Sequence, residues 1–102
     1  MITPEEAKRR WRGVLAPLVT PFRADGAVDF AALRRNVEWL LRRGAREGNT
    51  VLLAAGSGGD FTSMNLEERV AVIRAVAEVA AGRVPVIAGA QALDVRDTIA
   101  LC

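Results

Sequence analysis

Residues 50–60 read TVLLAAGSGGD, and this stretch decides the fold class. Its first part, Thr50 to Ala55, is apolar apart from the threonine and predicts a β-strand. A glycine-rich loop, Gly56 to Asp60, follows. The segment Asn65-Leu66-Glu67-Glu68 then predicts the start of a helix, because an N-cap asparagine with a glutamate three residues later forms a capping box. Strand, loop and helix in this order make one β/α unit.

The same order occurs on both sides of that unit. Upstream, the near-continuous apolar run Val14 to Val19 predicts a strand covered on both faces, and Asp29 predicts the N-cap of a helix. Downstream, Val84 to Ala88 predicts a third strand, and Asp94 predicts the cap of a further helix. Regular alternation of strands and helices indicates an α/β fold with a parallel sheet and right-handed crossovers.

The buried faces of the two long helices are predicted from helical spacing. They comprise Phe30, Leu33, Val37, Leu40 and Leu41 in the first helix, and Val70, Ile73, Ala77 and Ala80 in the second. Gly44 and Gly82 are predicted to end these helices.

The chain divides into an N-terminal helix, residues 1–12, and a partial barrel, residues 13–102. Thr3 and Glu6 form a capping box that predicts a helix to about Arg12. A closed parallel barrel needs eight strands and about 250 residues, so three strands indicate the N-terminal units of a (β/α)8 barrel. We expect the chain to be a fragment that stops within the helix after the third strand. An independent small domain is the alternative.

Composition narrows the function classes. No apolar run approaches the roughly 20 residues of a membrane span, which predicts a cytoplasmic protein without a membrane partner. The net charge is +2, yet 13 of 14 basic residues are arginines interleaved with acids, which favours solvated helix faces over nucleic-acid binding. Cys102 is the only cysteine, which excludes a disulfide framework and a cysteine zinc site. No metal site and no cofactor are predicted. Histidine and tyrosine are absent, and Lys8 is the only lysine.

Ligands of parallel α/β proteins bind beyond the carboxyl ends of the strands. Three segments qualify: 20–22, 56–61 and 89–93. In the second, Gly56, Gly58 and Gly59 are expected to allow positive φ, and consecutive N–H groups to form a concave anion site beside the Ser57 hydroxyl. No Gly-Lys-Ser/Thr follows, and Phe61 stands where a dinucleotide fingerprint has its third glycine. A carboxylate- or phosphate-binding loop and a merely structural turn both fit.

The motifs together carry a resemblance. Residues 13–22 (GVLAPLVTPF), the loop 56–60, the segment 66–69 (LEER) and residues 82–89 (GRVPVIAG) stand in an order and spacing that closely resemble the dihydrodipicolinate synthase / N-acetylneuraminate lyase family. The resemblance covers Gly13 to Leu101. It implies a (β/α)8 barrel, usually a homotetramer, and a lysine that forms a Schiff base with pyruvate or a related 2-oxo acid.

The resemblance also implies roles for residues of the loop. Ser57 matches a catalytic hydroxyl that joins a proton relay with a tyrosine. The substrate-binding residues implied are Pro17, Ser57, Gly58 and Gly59. Gly58 stands where the family usually has a second hydroxyl residue, Asp60 is one carbon shorter than the usual glutamate, and Leu93 replaces a common asparagine. These departures indicate a divergent branch.

Two functions follow as hypotheses. The leading one is the N-terminal part of a Schiff-base 2-oxo-acid lyase, aldolase or dehydratase, inactive alone because the nucleophilic lysine and relay tyrosine come from later strands of the family barrel. The alternative is a non-catalytic α/β module that binds an anion or pairs with another subunit. A dinucleotide-binding half-domain ranks third.

Overall fold

A computed structural model describes residues 2–102, and no helix in that range is long and apolar enough to cross a membrane. Two short 3₁₀ turns, Ser57–Gly59 and Phe61–Ser63, lie in the loop after the second strand. The helices and strands in chain order are α1 Pro4–Arg10, β1 Val14–Pro17, α2 Phe30–Arg42, β2 Thr50–Ala54, α3 Leu66–Ala80, β3 Val86–Ala88 and α4 Val95–Leu101.

The three strands form one parallel sheet in the order β1-β2-β3, which confirms the predicted fold class. Leu15 is in register with Val51, and Leu53 with Ile87. The central strand β2 therefore carries hydrogen bonds on both edges. Helices α2 and α3 pack side by side and cover one face of the sheet.

Side-chain caps begin the helices where the sequence predicts. In α1, Thr3 Oγ1 accepts a hydrogen bond from the Glu6 N–H at 3.2 Å, and the Glu6 carboxylate accepts one from the Thr3 N–H at 2.8 Å. The hydrogen bonds from Thr3 to the Glu6 carboxylate lower the pKa of Glu6. Asn65 and Glu68 form the same capping box at α3, and Asp29 caps α2 through the Ala32 N–H. Each cap pairs backbone donors that the first helical turn leaves unpaired.

The hydrophobic core lies between the sheet and the two long helices. The predicted face of α2 is confirmed: Leu33 and Val37 are buried, and the other three residues are half-buried against the core. The predicted face of α3 is wrong at Ala77, which is exposed. The buried residues of α3 are instead Arg69, Val72, Ala75, Val76 and Ala80. Because α3 contacts α2 as well as β2 and β3, its buried arc turns away from the predicted stripe.

The strands are shorter than the apolar runs that predict them. β1 ends at Pro17 rather than Val19, although the Leu18 N–H still donates to the Leu53 carbonyl at 3.0 Å. β2 ends one residue early because Ala55 takes a left-handed backbone, φ 52°. β3 begins at Val86 rather than Val84, since Pro85 has no N–H for a ladder. Helix α1 likewise ends at Arg10, two residues before the predicted Arg12.

The second face of the sheet is largely open, contrary to the prediction that β1 is covered on both sides. On this second face Leu15 is 52% exposed, and Pro17 is exposed as well. Val14 is 65% exposed but points to the opposite face, because successive side chains of a strand alternate. Near the amino ends of the strands, Trp11 lines a cavity together with Leu15, Val51 and Ile87. Part of the apolar surface of β1 is therefore left uncovered by the described residues.

Leu52 and Leu15 provide a matched test of which face is the core. Leu52 is fully buried in β2, whereas Leu15 lies on the neighbouring strand and is half-exposed. We expect Leu52→Ala to lower the free energy of unfolding by about 2–5 kcal/mol, because it leaves a cavity. Leu15→Ala should cost roughly 1 kcal/mol or less. Urea denaturation of both variants measures the difference, and equal losses would contradict this assignment.

Candidate functional site

The loops that follow the three strands meet at one edge of the sheet, as parallel pairing requires. The Thr20 hydroxyl, beyond β1, donates to the Gly59 carbonyl at 2.7 Å. The Gln91 side chain, beyond β3, donates to the Ala55 carbonyl at 3.0 Å. The loop after β2 is thus held from both neighbours, and the three candidate ligand-binding segments lie together at this edge of the sheet.

The backbone of the Gly56–Asp60 loop differs from the prediction. None of its glycines has a positive φ, so that expectation is wrong. The left-handed residues are Ala55, just before the loop, and Asp60, its last residue, with φ of 52° and 53°. Between them the chain makes one 3₁₀ turn, Ser57–Gly59. The sharp changes of direction therefore fall on residues with side chains.

The glycines serve close approach instead. A Cβ on Gly59 would lie 2.7 Å from the Leu18 carbonyl oxygen, and one on Gly89 would lie 2.2 Å from the Ala55 carbonyl oxygen. A Cβ on Gly58 would meet only the Pro17 Cβ, at 3.4 Å. Gly59 and Gly89 are thus required by packing between loops, whereas Gly58 has room for a side chain.

The backbone donors of the loop divide into two groups. The Gly59 N–H donates to the Gly56 carbonyl at 2.9 Å, and the Asp60 N–H to the Ser57 carbonyl at 3.4 Å. Within residues 2–102, the N–H groups of Ser57 and Gly58 and the Ser57 hydroxyl make no hydrogen bond, and both residues are exposed. The donors open to a ligand are therefore those of Ser57 and Gly58, with Pro17 beside them. Gly59, also predicted to bind substrate, is the buried residue of this turn.

Arg69 is a polar residue of this region that the charge pattern did not single out. It is only 6% exposed, and its Nη2 donates to the carbonyls of Gly89 and Gln91 at 2.9 and 2.8 Å. Its guanidinium lies 5.0 Å from the centre of the Phe61 ring, a cation–π distance. Helical spacing could have indicated that Arg69 is buried, because residues 69, 72, 76 and 80 lie along one side of the helix.

The segment after β3 leads into α4 through a charged cap. The Asp94 carboxylate accepts hydrogen bonds from the Arg96 side chain and from the Arg96 N–H, and these lower the pKa of Asp94. Because the pKa is lowered, the stabilisation that this cap provides is present above the usual pKa of aspartate and is lost as the pH falls through the lowered pKa. Leu93, just before this cap, is fully exposed.

Known proteins share both the sequence and this arrangement. Residues 10–102 match the model of the dihydrodipicolinate synthetase family. The chain belongs to that family. The 4-hydroxy-tetrahydrodipicolinate synthases of Saccharophagus degradans and Acidithiobacillus ferrooxidans are 42% and 44% identical to it, over 88% and 89% of the chain.

Solved structures of the dihydrodipicolinate synthetase family superpose on the chain. A dihydrodipicolinate synthase from Acinetobacter baumannii, complexed with pyruvate, has a TM-score of 0.78 at 34% identity and covers 88% of the chain. An N-acetylneuraminate lyase from Proteus mirabilis has a TM-score of 0.80 at 27% identity and covers 90%. The chain spans about 30% of the length of each of these relatives. The sheet and helices are the N-terminal β/α units of the family barrel, while most of α1 precedes the match.

Gly89 and Gly58 test the packing of the loops. We expect Gly89→Ala to lower the free energy of unfolding by about 1–3 kcal/mol, because its methyl group would collide with the Ala55 carbonyl. Gly58→Ala, in the matched open position, should change it by about 0.5 kcal/mol or less. Thermal unfolding followed by circular dichroism measures both. A Gly89→Ala variant as stable as Gly58→Ala would show that the loops do not approach as described.

Proposed function

We propose that the chain supplies the carboxylate-anchoring loop of a Schiff-base lyase acting on pyruvate or a related 2-oxo acid. The observation that carries this proposal is the pair of backbone donors at Ser57 and Gly58, two exposed residues whose N–H groups make no hydrogen bond within residues 2–102, at the carboxyl end of the central strand. The pyruvate complex of the Acinetobacter baumannii relative supports the substrate class. Membership of the dihydrodipicolinate synthetase family supports the reaction class.

The chemistry explains why such an anchor is useful. A protonated Schiff base withdraws electrons from the neighbouring carbon, so a carbon–carbon bond there is made or broken readily. The 2-oxo acid must first be held by its carboxylate, and oriented N–H groups do this without reorganising. In the proposed arrangement the Ser57 and Gly58 amides bind the carboxylate, while Pro17 and Gly59 shape the floor. The Ser57 hydroxyl relays a proton.

The Schiff-base nucleophile is proposed to lie outside this chain. Lys8 is its only lysine, and it is highly exposed on α1, paired with Glu5 at 3.0 Å. Helix α1 is tied by Arg10 to Glu47, which precedes β2, so it lies at the amino end of the strands. The glycine loop lies at the opposite end. Lys8 thus stands at the wrong edge of the sheet to meet a 2-oxo acid anchored there.

Reductive trapping tests this division of roles. Residues 10–102 would replace the matching segment of the Saccharophagus degradans synthase, and the chimaera would be treated with pyruvate and borohydride. We expect one reduced adduct, found by peptide mass spectrometry on a lysine of the synthase part. The isolated chain, as the control, should give no site-specific adduct. A stoichiometric adduct on Lys8 of the isolated chain would refute the proposal. A folded chimaera that gives no adduct would refute it as well.

Gly58 offers a sharper test of the anchor. Family members usually carry a hydroxyl at this position, and a Cβ here has room beside Pro17. In the chimaera, Gly58→Ser should tighten pyruvate binding about tenfold or more, because a hydrogen bond to a charged group is worth about 1.5–3 kcal/mol. Gly58→Ala adds the carbon without the oxygen and is the control. Isothermal titration measures both, and equal affinities of the two variants would show that the carboxylate is not bound at this position.

The exposed β1 surface also fits the alternative, a non-catalytic module that pairs with another subunit. Size measurement separates the two functions. The module is favoured if the isolated chain is folded and monodisperse but does not bind pyruvate, and if the chimaera does not trap pyruvate either. The cytoplasmic location, predicted from the lack of a long apolar run, and the homotetrameric assembly, implied by the family resemblance, stay predictions.

A further inference from the structure

The chain leaves the central strand through a residue in an unfavourable conformation. Ala55 is buried and has a φ of 52°, a left-handed backbone that residues with a Cβ rarely adopt. Gly56, which is buried, follows it, and then comes the exposed turn of Ser57 and Gly58. Contacts that hold the Ala55 peptide therefore set the direction in which those two residues project.

Two residues beyond β3 make these contacts. Gln91 Nε2 donates to the Ala55 carbonyl oxygen at 3.0 Å. Gly89 lies directly against the same oxygen, where any Cβ would collide with it, and its N–H donates to the Ala54 carbonyl at 2.8 Å. The Ala55 carbonyl is thus bounded by backbone on one side and bonded to a side-chain amide on the other.

Gln91 is itself held by a buried cation. Arg69 Nη2 donates to the carbonyls of both Gly89 and Gln91, so one nitrogen joins two points of the loop. Among the described residues, Arg69 has no carboxylate partner, and its Nε is buried without a hydrogen bond. A buried guanidinium that donates only to carbonyl oxygens holds the backbone in position and does not form an ion pair.

We propose that Gln91 is a positioning residue for the Ser57–Gly58 turn, acting through the Ala55 carbonyl, and that Arg69 holds Gln91 in place. The link runs from α3 through the β3 loop to the end of β2. What the turn binds rests on the proposed function, but the positioning itself does not. Its test therefore reads the turn directly.

The test is the amide spectrum of the chain, uniformly labelled with ¹⁵N. Gln91→Met removes the donor and keeps the length of the side chain. We expect it to move the amide resonances of Ser57 and Gly58 further than Leu93→Ala does, a control in the same loop at a fully exposed position. If the resonances of Ser57 and Gly58 in Gln91→Met match those of the wild type, the proposal is overturned.

Gln91→Glu gives a second, reversible signature. Its protonated carboxyl donates to the Ala55 carbonyl, whereas the ionised form repels it. The turn resonances should therefore match the wild type at low pH and move as the carboxyl ionises, and they should return on acidification. Arg69 is the charged group in contact with this residue, Asp94 caps α4, and Arg96 and Asp97 lie on that helix. The wild type, titrated over the same range, reports their effects alone.

These outcomes separate the two proposals. If the resonances of Ser57 and Gly58 do not change as the carboxyl group of Gln91→Glu ionises, the positioning role is refuted. This test does not depend on whether Gln91→Met folds. A chimaera that fails to trap pyruvate, with the turn still responding to Gln91, would refute the proposed function and leave the positioning role standing.

Discussion

The carbonyl oxygen of Ala55 is the point on which the loops at the carboxyl edge of the sheet depend. β2 is the central strand, so the peptide that ends it has a neighbouring loop on either side. Gly89 packs against this oxygen, and Gln91 donates to it. Once its direction is set, the chain turns through a left-handed residue and presents two exposed amides. On the other side, the Thr20 hydroxyl holds the far end of the turn.

This arrangement explains why a glycine-rich loop is also a rigid one. Glycine lowers the steric cost of close packing but gives a loop more freedom in the unfolded chain. Here that freedom is removed by side chains from three directions: the buried Thr20 hydroxyl, the Gln91 amide and the buried Arg69 guanidinium over Phe61. An anion site needs such rigidity, because donors that are already oriented bind a carboxylate without paying to order the loop.

The open face of the sheet has the opposite character. Helices α2 and α3 cover one side, while on the other side β1 presents Leu15 and Pro17 on a largely uncovered surface. In the family barrel a parallel sheet closes on itself, and its inner side chains pack in layers. The chain spans about 30% of its relatives, so its apolar pattern is that of a larger closed structure. The candidate anchor forms locally from three loops, whereas the proposed reaction draws on residues elsewhere in the barrel.

The order of elements, the helix caps and the family could be read from residue types alone, because capping boxes and apolar runs depend on near neighbours. Asn65 with Glu68, and the run from Thr50, needed no distant contact. The sequence could also place Ser57 and Gly58 at the carboxyl edge, since parallel pairing brings strand ends together. Only the tertiary structure decided which residues of the loop have positive φ, why Gly59 and Gly89 are glycines, and that Arg69 is buried. Those features arise from contacts between loops some 20 to 40 residues apart, where one backbone excludes the Cβ of another. No local pattern records such an approach.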